Sequence, residues 1–203
     1  MTHTPIPLPE QRDLIAGNFT PPSEALPQWV CDSNSGERLT QQVQSSDASV
    51  LRAVDAASES HRAGLFANLS LEERAIWLER IATAIEPCVD AMAYVDSITT
   101  GVIIGDTTKM AQLVPHVFRM AAAELRDGWM EASLTGKHGP VHIVKKPLGP
   151  VALIVPWNSP APIGAHKIAS ALAAGCPCIV KPSEWSPHSL NLMMQAIDTV
   201  GLP

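Results

Sequence analysis

The 203-residue chain lacks any run of lysines or arginines, and its 20 acidic residues outnumber 14 basic ones, for a net charge of -6. That balance excludes the basic footprint by which nucleic acid is usually bound. Long hydrophobic runs are missing too. Stretches such as Val151–Val155 are far too short to span a bilayer, so no membrane partner is expected. No apolar segment follows a basic start at the N-terminus, so no secretory signal is read there. The four cysteines (Cys31, Cys88, Cys176, Cys178) have no metal-ligand spacing and read as reduced, buried thiols, which points to a cytoplasmic protein. His116, His138, His142, His166 and His188 are not read as metal ligands. Neither a GxGxxG nor a P-loop is present, so the usual glycine fingerprints give no argument for nucleotide binding.

What is there is ordinary globular material, with 46% hydrophobic and 17% charged residues. Six prolines within residues 1–27 argue against regular helix or inner strand, so that segment is expected to be an extended arm. Residues 28–31 and 37–43 read as two strands around a turn, with Trp29 pinning the first. A helix is predicted over residues 46–66, with Asp47 as N-cap and Val50, Leu51, Val54, Ala57, His61 and Leu65 on one face. Ser70-Leu71-Glu72-Glu73 is a capping-box pattern opening a second helix. Pro87 interrupts it and begins a third, ended by Gly101. A fourth, over 107–127, contains Pro115, which is expected to kink or split it. These elements make residues 28–129 a strand pair followed by a helical part. Residues 130–148 alternate like an exposed ribbon, the kind of element that contacts another subunit.

Residues 149–203 change pattern again. Val151–Val155 reads as a strand buried on both faces, residues 163–174 as a helix ended by Gly175, and residues 178–180 as a second strand. Ser186-Pro187 then caps a helix over 190–200. Strand, helix, strand, helix implies parallel strands, and in such sheets ligands bind beyond the carboxyl ends. The loops 156–160 and 181–184 both lie there. Lys181 and Glu184 have the chemistry to bond a ribose, although on spacing alone a solvated ion pair is the commoner outcome. Asn158 carries an amide that could donate to a developing oxyanion, or could simply satisfy its own turn. Lys167 lies nine residues further on and by itself reads as a surface lysine.

Taken together, GPVALIVPWNSPAPIGAHKIASALAAGCPCIVKPSEWSP resembles the aldehyde dehydrogenase superfamily closely. The match rests on Pro156-Trp157-Asn158-x-Pro160, Lys167, Ala171–Gly175 and Lys181-Pro182-Ser183-Glu184, and extends more loosely upstream to about Gln28. The resemblance implies an α/β fold: a helical N-terminal segment, an incomplete Rossmann-like parallel sheet and a protruding β-ribbon. It implies oxidation of a small aldehyde to a carboxylic acid with NAD, or NADP as the second choice, in a homodimer or homotetramer when full length. Asn158 matches an oxyanion-hole asparagine and Lys167 a lysine near the catalytic centre. Val155, Pro156 and Trp157 match the backbone lining the cofactor. Lys181, Pro182, Ser183 and Glu184 match its adenosine-ribose contacts, and Glu184 favours NAD over NADP. The sequence departs from the family pattern at Ser159, where phenylalanine is usual, and at Cys176, where asparagine is frequent. The family's second glycine motif, glutamate base and cysteine nucleophile follow the equivalent of Pro203. The chain is therefore expected to be an N-terminal portion that does not oxidise aldehydes alone. The alternative is a non-catalytic module that associates with a full-length subunit.

Overall fold

In the computed structural model, which describes residues 7–203, helices form the centre and small sheets flank it. Residues 1–6 of the expected arm lie outside the described part. The rest of the arm is more regular than its prolines suggest: β1 (Asp13–Ile15) and β2 (Asn18–Thr20) form a hairpin. The reason is local. No proline falls between Glu10 and Thr20, and Ala16 and Gly17 take the positive φ values (49° and 72°) of a tight turn. β3 (Glu24–Cys31) starts before the expected boundary at residue 28 and pairs antiparallel with β4 (Arg38–Gln44). Val30, 1% exposed, anchors β3 from the core side. Trp29 is only half-buried, and the Arg38 guanidinium lies 5.2 Å from its ring.

Helix α1 (Asp47–Ala63) is capped by Ser46, one residue earlier than expected; the Ser46 hydroxyl accepts from the Ser49 N–H. Its predicted apolar face is largely uncovered, with Val50, Leu51, Val54 and Leu65 exposed and Ala57 buried. Helix α2 (Leu71–Ile85) opens on the capping box with both reciprocal bonds made, Ser70 to the Glu73 N–H and Glu73 back to the Ser70 N–H. A single 3-10 turn (Glu86–Cys88) holds Pro87 before α3 (Val89–Thr100), which ends at Gly101 with φ 80°. Helix α4 (Ile104–Arg126) runs through Pro115 without splitting. The proline is buried in the helix pack, where tertiary contacts offset the lost backbone bond.

The core lies where these helices meet α5 (Pro160–Ala173) and α6 (His188–Val200). Phe118, Leu78, Ile81, Ile85, Met92 and Met193 are all 0% exposed. Arg126 closes α4 onto α2 with bonds to Glu72 and Glu79, at 2.8 and 2.6 Å for the shortest of each. β5 (Glu131–Gly136) and β6 (Gly139–Val144) make the ribbon, exposed almost throughout. Leu134, Val141, Ile143 and Val144 are among its uncovered side chains, and Lys145 packs over the Trp129 ring at its base, 3.5 Å away.

β7 (Val151–Ile154) and β8 (Cys178–Lys181) form a two-stranded parallel sheet in register Val151↔Cys178 to Ile154↔Lys181, joined by α5. β7 is not buried on both faces. Leu153 turns to the helices while Ala152 and Ile154 face outward, Ile154 at 67% exposure. Five apolar residues in a row predict two covered faces, but among the described residues the core covers one. Helix α6 also begins without the expected serine cap. Pro187 stands at its N-cap position, and the Ser186 hydroxyl bonds Thr99 at 2.6 Å instead.

Candidate cofactor and oxyanion site

β7 and β8 end side by side, and their following loops carry most of the candidate residues. The Val155 N–H donates to the Lys181 carbonyl at 3.0 Å, a last rung that holds the two loops together. Val155 is 2% exposed and points into the core. Pro156, Trp157 and Asn158 are exposed at the end of the sheet. Ser159 occupies the N-cap position of α5 with φ -161° and ψ 61°, but its side chain does not cap the helix; the hydroxyl lies 3.8 Å from the Met110 sulfur.

In the second loop, Lys181 Nζ is 3.2 Å from Glu184 Oε2, and both side chains are about half exposed. They form a solvated pair, and such pairs contribute little stability. The Glu184 backbone N–H, and then Lys181, hold its carboxyl below the usual range against partial burial, so it is an ionised acceptor at neutral pH. Pro182 is half-buried and Ser183 is buried, its hydroxyl accepting from the Trp185 N–H at 3.3 Å. The Thr99–Ser186 bond fastens this loop to the last turn of α3. Trp157 and Trp185 are each about half exposed, one on each loop.

Lys167 is not gathered with the others. It stands on the outer face of α5, while Gly164, Ala165, Ile168 and Ala169 face the core. Seven residues of helix place it about 10 Å along the axis from Pro160. The open surface at the strand ends is distinct from a cavity of about 570 Å³ between Leu8–Gln11 and Leu39, Thr40, Val43, Tyr94 and Ile98, which holds no candidate residue.

The groups fit the adenosine half of a dinucleotide. An ammonium and an ionised carboxylate at the carboxyl end of a parallel strand can donate to and accept from ribose hydroxyls. Two of the cysteines, Cys88 and Cys178, are held as thiols. Burial, aided by Cys176, pushes the Cys178 thiol up to about 12, and burial also raises Cys88.

Residues 21–203 match the model of the aldehyde dehydrogenase family. The chain belongs to that family. One relative, (Z)-2-((N-methylformamido)methylene)-5-hydroxybutyrolactone dehydrogenase of Acinetobacter baylyi, is 32% identical over 161 residues, 76% of this chain and 32% of its own length. Aldehyde dehydrogenase C of Pseudomonas syringae, solved as a mutant with NAD+ and octanal, superposes with a TM-score of 0.84 at 30% identity, over 96% of this chain and 39% of that one. Betaine aldehyde dehydrogenase of Staphylococcus aureus, solved with NAD+, gives a TM-score of 0.84 at 25% identity, over 97% and 39%. The chain thus spans about a third of the length of the curated relative and about two-fifths of these structures.

Proposed function

We propose that this chain supplies the adenosine-ribose cradle and one oxyanion donor of an enzyme that oxidises a small aldehyde to a carboxylic acid with NAD. The observation that carries the reading is the joining of the Asn158 and Lys181–Glu184 loops at the carboxyl ends of two parallel strands, in a chain of this family. Lys181 donates to ribose hydroxyls and Glu184 accepts from them; the negative charge of Glu184 also disfavours a 2′-phosphate, which selects NAD over NADP. Pro182 and Ser183 shape that loop, and Val155, Pro156 and Trp157 line the cofactor with backbone and ring. When bound, NAD supplies the hydride acceptor for the oxidation. The Asn158 amide donates to the aldehyde oxygen as it becomes negative. Lys167 enters this reading only through its sequence match, because its place on α5 sets it apart from the loops.

The acyl-carrying thiolate is not provided by Cys88 or Cys178, whose raised thiols stay protonated at neutral pH. The reading for these 203 residues is therefore cofactor binding and oxyanion donation. No helix among the described residues is long and apolar enough to cross a membrane, and a cytoplasmic enzyme is the reading consistent with the reduced thiols. The exposed apolar ribbon supports a homodimer or homotetramer of the full-length protein. The test is Asn158→Ala in the dehydrogenase that carries this sequence. Loss of one oxyanion donor should lower kcat about 100- to 1,000-fold, with KM nearly unchanged. An unchanged kcat would refute the role of Asn158.

A further inference from the structure

Helix α5, which Asn158 leads into, has an unusual start. Pro160 and Pro162 have no N–H, so among the first three helical residues Ala161 is the one donor. Ala161 is 0% exposed, so water does not serve it. The N-cap residue Ser159 makes no side-chain cap, and the first turn contains no acidic residue. A buried N–H left without a partner is costly.

The group beside it comes from another helix. Asp96 lies on α3, 5% exposed, with its carboxyl next to the Ala161 N–H and the Ser189 hydroxyl of α6. Its Oδ1 and the Ser189 Oγ are buried and complete no hydrogen bond of normal length and angle here. The far end of α5 is closed by a completed bond from another helix. Its last turn contains no basic residue, and the buried Arg74 of α2 donates from Nη1 to the Ala173 carbonyl at 2.9 Å. An acceptor at the start and a cation at the end are the groups that the two ends of a helix favour.

We propose that Asp96 is the positioning residue for the Asn158 turn: from α3 its side chain takes the lone first-turn N–H of α5 at Ala161, and so fixes the start of the helix three residues after Asn158. The effect on turnover rests on the proposed role of Asn158; the cap itself does not. Burial raises the Asp96 carboxyl to about 7, opposed by Ser189 and Ala161, and no charged side chain is among the causes. His188, the chain neighbour of Ser189, is pushed down to about 4 by burial and stays neutral near pH 7.

The experiment is amide NMR on the 203-residue chain and its Asp96→Asn and Asp96→Ala variants. In the wild type, the Ala161 amide shift should titrate with a midpoint near 7, and the Asn158 side-chain amide should follow it. Asp96→Asn should abolish that titration while keeping Ala161 protected, because an amide oxygen can still accept. Asp96→Ala should raise Ala161 exchange about tenfold or more, with a smaller change in α3 and α6. A pH-independent Ala161 shift in the wild type, or a titration that persists in Asp96→Asn, would overturn the proposal; this holds even if Asp96→Ala fails to fold. Failure of the dehydrogenase reading would appear in kinetics and leave these spectra unchanged.

Discussion

Asp96 and His188 should make stability depend on pH with opposite signs, so that each hides the other. Burial raises Asp96 from 3.8 to about 7, and lowers His188 from 6.5 to about 4. Between pH 7 and 5 the folded chain holds more protons at Asp96 than the unfolded chain, so acidification stabilises through that residue. At His188 the folded chain holds fewer, so the same acidification destabilises. Integrating proton binding for these values, each contribution is about 2 kcal/mol over this window. The wild type should therefore be nearly flat from pH 7 to 5. Asp96→Asn should lose about 2 kcal/mol on acidification, and His188→Gln should gain about as much. The surface carboxylates do not confuse the reading. Glu72, Glu73, Glu79, Glu184 and Asp32 are all lowered, so their contributions are lost mainly below this window. Urea unfolding at half-unit steps of pH gives the profile. Parallel slopes in all three proteins would refute the reasoning, because they would show that neither group changes its protonation on folding.

Two further stability predictions come from the backbone. A Cβ at Gly164 would sit 2.3 Å from Cδ2 of buried Leu190, so Gly164→Ala should overpack the α5–α6 contact. Overpacking costs about 1–3 kcal/mol and the helix-propensity gain offsets about 1, which leaves a net loss of up to about 2 kcal/mol in urea unfolding; a stabilised variant would contradict the packing. Ser70→Ala removes the α2 cap and should cost about 1 kcal/mol. Asp47→Ala should cost distinctly less in the same assay, since Ser46 is the N-cap of α1.

The elements of this fold were legible wherever local chemistry decides them. The Ser70–Glu73 capping box, Gly101 and Gly175 mark helix ends by mechanisms confined to a few residues. Pro115 does not split α4, because its cost depends on the surrounding pack and a buried helix tolerates it. The apolar run of β7 misled. Composition reports what a strand is suited to, while Ile154 is exposed because nothing described lies over it. In the candidate site, the strand ends and the Lys-Pro-Ser-Glu loop could be placed from the pattern of strand, helix and strand. Asp96 was missed because its importance comes from three helices meeting, although an aspartate among Met92, Ala93 and Val95 was a visible sign. Lys167 lies on the outward face of α5, where the residue read by itself is expected.

The most direct test of the central claim is a calorimetric titration of NAD+ into the 203-residue chain, repeated with Lys181→Ala and with NADP+. The account predicts saturable NAD+ binding, weakened about tenfold by Lys181→Ala, the loss of one charged hydrogen bond of about 1.5 kcal/mol, and weaker binding of NADP+ than of NAD+. Absence of saturable binding, or NAD+ affinity that Lys181→Ala leaves unchanged, would contradict it.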